Sequence, residues 1–235
     1  MKINNVNITT WGARQSTMSF APTKYTNASL WKSGAAIPTV FPGVIGFKTL
    51  TLNLIVKGSG RDAILKNVSD IVAACRDKVT ITLDNYSRQF TGYLTNASNE
   101  ELSKKRFHRL NLQFSGFEHD PQVEISGTSS ISISNPGNQD SPARVLLTAT
   151  AAISQIVLTG LCRDSYTGDD LPVTVKSLTA NRRIVLNGIN GSIAEGNGPK
   201  DVDIWRLPSL VPGANTITCD NSHVNIVIQY LPAYA

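Results

Sequence analysis

The chain has 235 residues, of which 41% are hydrophobic, so it can form one large β domain or two domains of about 115 residues each. Charged residues make up 17%, below the usual ~25%, while Ser, Thr and Asn are abundant, which is typical of a β-rich protein with many turns. Cys75, Cys162 and Cys219 form no Cys-x-x-Cys pair, which argues against a zinc site or a disulfide framework. They indicate free thiols in a protein made in a reducing cytoplasm.

The opening residues MKINNVNITTW contain one lysine and no apolar run, so we expect no secretory signal. One uncharged stretch, residues 145–162, matches a membrane span in length. Polar residues such as Thr148 and Thr159 interrupt it, and its apolar residues fall into two β-type runs around Ala151 and Ala152. We therefore expect two sheet strands and no membrane association.

Charge is divided unevenly along the chain. Residues 1–120 hold 15 Lys and Arg against 8 Asp and Glu, a net charge of +7, whereas residues 121–235 hold 7 against 9, a net charge of −2. Pro121 follows a strand-like run that ends at Phe117. This pattern predicts two domains, 1–120 and 121–235.

The first domain is predicted to be an α+β unit with one helix. A helix is indicated over residues 59–77, where apolar side chains recur at helical spacing on one face: Ile64, Leu65, Val68, Ile71, Val72 and Cys75. Alternating patterns predict strands at residues 47–54, 79–83, 89–94 and 110–114. The span 12–43 has three prolines and little periodicity, which predicts an arm or loop.

No helix is predicted in the second domain. Short strands are expected at Ile131–Ile133, Ala143–Thr150, Ser154–Leu158, Val173–Val175, Arg183–Leu186, Val202–Trp205, Asn215–Thr218 and Val224–Ile228. Gly, Pro, Asn and Asp clusters separate them, and strands at this spacing indicate a β-sandwich. The predicted fold class is therefore mainly β.

A pattern of turns marks the second domain. Asn187-Gly188 and Asn190-Gly191 are dipeptides that tolerate the positive φ of tight hairpins, and Pro212-Gly213 predicts a turn into a new strand. With the earlier turn at 135–138 (NPGN), this pattern resembles the C-terminal half of distal tail proteins (Dit) of long-tailed bacteriophages. The family positions are occupied by Trp205, Pro208, Leu210, Pro212, Gly213, Asn215 and Ile217.

The resemblance extends to residues 1–118, whose order of elements is similar to the N-terminal belt domain of that family. It implies a galectin-like or carbohydrate-module-like β-sandwich after the belt, and a buried role for Trp205. It also implies a virion structural protein of the phage tail tip, assembled in the bacterial host cytoplasm. Its copies would form a homohexameric ring, a baseplate hub, that links the tail tube protein to a tail-associated lysin, tail fibre or baseplate.

The sequence predicts no enzyme, and no catalytic residue, cofactor or metal site. The histidines at 108, 119 and 223 are scattered, without the sequence context of a metalloprotease or a hydrolase triad. Carboxylate pairs at Asp169-Asp170 and Asp201/Asp203 lie in or beside polar loops, which indicates solvated turns or strand edges. Glycines between 188 and 198 lack the spacing of a phosphate-binding loop.

The basic cluster Lys104, Lys105, Arg106 and Arg109 is the candidate interface. Such a cluster suits a neighbouring acidic ring, and it also suits weak contact with DNA as the passing genome. No zinc-finger, helix-turn-helix or RNA-binding pattern accompanies it. These two readings stay open.

An alternative function is a carbohydrate-binding β-sandwich module that contacts the host cell surface. Sugar sites use exposed aromatic rings with amide and carboxylate partners. The second domain offers Tyr166, Trp205, Tyr230 and Tyr234, which are too dispersed in sequence to define a site.

Overall fold

The computed structural model describes residues 1–26, 29–31, 33–34, 36–37, 39–40, 44–102, 106–164 and 167–235. These residues form two compact units, Met1–Asp120 with Ala235 and Pro121–Tyr234. Antiparallel strands dominate both units and the described residues contain one α-helix, which confirms the predicted mainly β fold class.

The first unit is built on one antiparallel sheet. Its elements are β1 (Lys2–Ile3), β2 (Val6–Asn7), a 3-10 helix (Ile8–Trp11), β3 (Ala13–Ala21), β4 (Tyr25–Thr26), β5 (Ser29–Leu30), β6 (Thr39–Val40), β7 (Val44–Ile45), β8 (Lys48–Lys57), α1 (Arg61–Ala74), β9 (Val79–Thr82), β10 (Gln89–Glu101) and β11 (Phe107–His119). The strands β2-β1-β9-β10-β11-β8-β3 lie side by side in that order. The long hairpin β10–β11 and β8 form its centre.

Period-two alternation explains why this sheet has one buried face. Along β8 the even-numbered residues from Leu50 to Val56 are buried, and the odd-numbered residues lie on the opposite face. Helix α1 contributes Ile64 and Ile71 to the same core. The helix is shorter than predicted at both ends, and Leu65 is exposed, so its buried stripe is narrower than the periodicity indicated.

The prediction of an arm or loop over residues 12–43 is wrong for its first part. Strand β3 occupies Ala13–Ala21 and pairs with β8 along its length. A bulge between Gln15 and Thr17 shifts the alternation, and most β3 side chains are exposed, so the sequence carried little periodic signal. Beyond β3 the chain does form an arm, in which β4 pairs with β7 and β5 pairs with β6.

The second unit consists of two antiparallel sheets over a shared core. Its strands are β12 (Val123–Gly127), β13 (Ser130–Asn135), β14 (Ser141–Ala149), β15 (Ile153–Thr159), β16 (Val173–Leu178), β17 (Arg183–Asn187), β18 (Ile193–Glu195), β19 (Gly198–Pro199), β20 (Val202–Asp203), β21 (Ser209–Leu210), β22 (Gly213–Cys219), β23 (Val224–Tyr230) and β24 (Ala233–Tyr234). One sheet has the order β12-β23-β14-β17-β18-β19, with β21 beside β14, and the other the order β13-β22-β15-β16-β20. Val145 and Ile228 of the first sheet share a core with Ile156 and Ile217 of the second, as in a β-sandwich.

All eight strands predicted in the second unit are present, although the one expected at Val202–Trp205 is only Val202–Asp203. The uncharged stretch 145–162 is two strands, β14 and β15, joined by residues 150–152, as predicted. Among the described residues, no helix is long and apolar enough to cross a membrane.

Candidate functional site

The Pro-Gly turn before β22 is held by the side chain of Asn215. Gly213 has a φ of +83°, a conformation that favours glycine, and the chain enters β22 there. The buried Asn215 amide accepts a hydrogen bond from the Val211 backbone N–H at 3.0 Å and donates to the carbonyls of Val211 and Gly213 at 2.8 and 3.0 Å. The asparagine of the family-like pattern therefore has a structural role in fixing the turn.

Asn135 joins the two turn motifs that sequence analysis singled out. Its buried side-chain amide donates to the carbonyls of Leu210 and Val211, both at 3.2 Å, and its oxygen accepts from the Gly137 backbone N–H at 3.1 Å. The turn at 135–138 and the turn before β22 therefore meet through one side chain. Sequence analysis predicted both turns but not the contact between them.

The predicted basic cluster is described only in part. Lys104 and Lys105 lie outside the described residues, and Arg106 is exposed. Arg109 lies on β11, opposite Glu100 of β10, and its guanidinium is 3.2 Å from that carboxylate. Part of the positive charge at this end of the β10–β11 hairpin is therefore compensated, and the role of the cluster stays a prediction.

In the part of the chain that the structure describes, no three His, Cys, Asp or Glu side chains are grouped so that they could hold a metal ion. His119 contacts Thr91 through Nε2 at 2.8 Å, and burial lowers the pKa of this imidazole. Asp203 pairs with Lys176 at 2.8 Å, and Asp170 with Arg163 at 3.2 Å. These groups have structural partners of their own.

A buried ion network lies at the C-terminal end of β11. The Glu118 carboxylate is 2.7 Å from Lys48 Nζ and 2.8 Å from Arg88 Nη1, and it accepts a hydrogen bond from the Tyr86 hydroxyl. Burial by itself raises the pKa of Glu118, but the three donors outweigh burial and hold the pKa below its ordinary value. Sequence analysis did not find this network, because each of the three donors is 30 or more residues from Glu118 in the chain.

The arm carries the largest group of exposed apolar side chains in the first unit. We use "arm" for the described residues between 22 and 47. Six of its large apolar side chains are 46–77% exposed: Tyr25, Leu30, Trp31, Ile37, Ile45 and Phe47. Two-stranded ribbons of this kind cannot bury such side chains by themselves, so these side chains are exposed in the single chain.

Trp205 contradicts the expectation of a buried family position. Its side chain is 83% exposed in the loop after β20, where it lines an open depression of about 470 Å³ together with Val202, Asp203 and Ile204. The loop after β20 ends in Pro208, whose carbonyl leaves no room for a side chain at Gly188. The end of this loop therefore packs closely against Gly188, while the indole of Trp205 faces solvent.

Taken together, the belt-like sheet with its arm and the β-sandwich with its linked turns define the fold of a Dit-like phage tail hub protein. The crystal structure of the SPP1 Dit protein, a hub adsorption apparatus protein of phages that infect Gram-positive bacteria, is similar over nearly the whole length. It covers 97% of this chain and 96% of that chain, with a TM-score of 0.70 and 14% sequence identity. No family model and no curated protein matches the sequence.

Two structures of the activated phage p2 baseplate are also similar. The structure with Sr has a TM-score of 0.52, and the structure with Ca has a TM-score of 0.53. Each is 11% identical and covers 95% of this chain and 92% of that chain. At these identities the comparisons establish the fold, and this fold is the one that the sequence resemblance implied.

Proposed function

We propose that this protein is a structural component of a phage virion that forms a ring, with six copies as the resemblance implies, at the distal end of the tail tube. The ring links the tube protein to a tail-associated lysin, tail fibre or baseplate. The observation that carries this proposal is that both units, and not only one of them, match the SPP1 Dit fold over 97% of the chain. No catalytic role is part of the proposal.

Features of the first unit support its role in ring contacts. In the described part of the chain, β3 has a partner strand on one side only, so its other edge is open to a neighbour. The arm beyond β3 exposes the apolar side chains that an interface needs. A ring of head-to-tail contacts requires two different surfaces on each copy, and the two ends of the β3–β8 pair can supply them.

The proposal is tested by light scattering of the purified protein after size-exclusion chromatography. A six-membered ring has a mass of about 152 kDa, six times that of the 25.4 kDa chain. We expect this species at micromolar concentration. A chain that stays monomeric at every concentration, and that is absent as a ring from virions, would exclude the hub function.

A second candidate function, sugar binding at the host surface, is favoured by the exposure of Trp205. An exposed indole offers a stacking surface for a sugar ring, and the adjacent Asp203 carboxylate offers a hydrogen-bond acceptor. A glycan array probed with the wild type and with Trp205→Ala tests this function. Binding that is lost in Trp205→Ala supports it, and an array with no bound glycan rejects it.

A further inference from the structure

A cavity of about 490 Å³ lies at one end of the β3–β8 hairpin. Its wall includes the apolar side chains of Ala13, Ile55 and Phe107, and the cations Arg14 and Lys57. The volume falls within the range of about 300–1,000 Å³ that is typical of protein sites for small molecules. A single large aromatic side chain can therefore enter it.

The exposed aromatic side chains lie at the other end of the same hairpin. Strand β8 has ten residues, which span about 30 Å, and the arm continues the hairpin beyond Lys48. Trp31 directly follows β5 in the arm and is 64% exposed. None of the described arm residues lines the cavity, so the arm of one chain leaves its own cavity open.

We propose that the indole of Trp31 from one copy inserts into this cavity of the next copy, and that this contact closes the ring. The proposal rests on the ring function proposed above and names the contact that makes it. The partner is therefore a second copy of this chain.

Chemical complementarity supports this pairing. Ile55 and Phe107 offer apolar surface to the indole, and Phe107 offers an aromatic partner. Arg14 and Lys57 place cations where they can contact the face of an indole, and tryptophan is the best side chain for a cation–π interaction. An aliphatic side chain from the arm would make the apolar contact but not the cation–π interaction.

Geometry and area support a head-to-tail contact between copies. A projection at one end of the hairpin and a cavity at the other form a heterologous interface, which closes into a ring when the rotation between copies permits it. The six exposed arm side chains present on the order of 600 Å². That area approaches the roughly 800 Å² per partner of a standard stable interface.

Disulfide trapping tests the contact directly. The double variant Ser29→Cys/Thr9→Cys keeps Trp31 and Phe107 and places one exposed thiol two residues before Trp31 and the other on the cavity wall. It is oxidised under native conditions and analysed on a non-reducing gel. We expect a ladder of covalent oligomers up to the ring, whereas each single variant gives nothing larger than a covalent dimer. The three native cysteines are buried, so they do not contribute to the ladder.

A matched pair of tryptophan variants gives a second readout. Trp31→Ala is expected to raise the concentration for half-assembly at least about 30-fold, the effect of losing an interface hot spot of about 2 kcal/mol. Trp205→Ala, which removes an even more exposed indole from the second unit, should leave assembly unchanged. Circular dichroism checks that both variants are folded.

The outcomes separate this proposal from the ring function. Rings that form in Trp31→Ala as in the wild type, with no ladder from the double variant, overturn the Trp31 contact and leave the ring function intact. A wild-type chain that never assembles overturns both.

Discussion

Two buried asparagines hold the turns that carry the resemblance to distal tail proteins, the turn at 135–138 and the turn before β22. Asn215 and Asn135 are both buried, and each satisfies backbone groups that would otherwise lack partners. Sequence analysis recognised the turns from their Pro-Gly and Asn-Gly dipeptides, because these residues have local conformational preferences. It assigned Trp205 to the interior by resemblance and was wrong, since burial depends on neighbours that a local pattern does not contain.

We predict that Asn215→Ala lowers the free energy of unfolding by about 1–3 kcal/mol, because the Val211 backbone groups lose buried hydrogen bonds. Urea denaturation followed by circular dichroism measures this change. Asn197→Ala, at an exposed position in the turn between β18 and β19, is the control and should change stability by less than about 0.5 kcal/mol. Equal effects of the two substitutions would refute the role of Asn215.

The Glu118 network predicts a pH dependence of stability. The pKa of Glu118 is lower in the folded chain than its ordinary value of 4.5, so the carboxylate stabilises the fold above pH 4.5. This contribution is lost as the pH falls below 4.5 and through the folded pKa. We therefore expect the free energy of unfolding to fall with acidification in the wild type, and to fall less steeply in Glu118→Gln.

At neutral pH, Glu118→Gln is expected to cost about 3–5 kcal/mol, because Lys48 is left buried without its counter-ion. Asp70→Asn breaks the exposed pair with Lys66 and is the matched control, with an expected cost below about 0.5 kcal/mol. Urea denaturation at a series of pH values measures both. Parallel pH profiles of stability for the wild type and Glu118→Gln would show that the Glu118 carboxylate does not cause the pH dependence.

Among the strands, those that are long and have one buried face were predicted from the sequence, and most of those that are short or mostly exposed were missed. Strands with one fully buried face, such as β8 and β14, have clear alternation and were predicted. The edge strand β3 was missed because of its bulge and its exposed side chains. The short strands β18, β19 and β21 exist through pairing with neighbours, so their own two or three residues carry no distinct pattern.

The described members of the basic cluster, Arg106 and Arg109, lie at the end of the β10–β11 hairpin. Since Arg109 faces Glu100 across the hairpin, its reversal to Glu would add a repulsive pair to the fold. Reversal of only Lys104, Lys105 and Arg106 to Glu avoids that effect. We expect the triple variant to fold but to fail in a tail-assembly complementation assay. In gel-shift experiments, the wild type should bind DNA only weakly, without sequence preference, and less as the salt concentration rises.

Reversal of Lys2, Arg76 and Lys78, three exposed basic residues elsewhere in the first unit, is the matched control for net charge. This control variant should complement tail assembly. Tight binding of the wild type to one duplex sequence, together with normal assembly of the triple variant, would instead identify DNA as the partner of the cluster.

For the whole molecule, we propose that residues 121–235 are an independent domain. The second unit has its own core, which includes Val145, Ile156 and Ile228, and its charge balance differs in sign from that of the first unit. A fragment of residues 121–235 should give a β-type circular dichroism spectrum and a cooperative thermal transition. A fragment that begins at residue 129 lacks β12 and should melt at a lower temperature, since Val123 and Ile125 pack on that core.

An unfolded 121–235 fragment would show that the two halves depend on each other for stability. The resemblance implied a ring, but the contacts of the proposed ring cannot be predicted from one chain, because they form between two copies. The exposed arm and the open edge of β3 are the features of the single chain that such an interface would use.

Negative-stain electron microscopy of the purified protein is the most direct test of the proposal that this chain builds a closed ring at the tail tip. If the chain forms the proposed ring, the particles have six lobes around an open centre. Fields of single small particles at every concentration, with no closed assemblies, would contradict the ring.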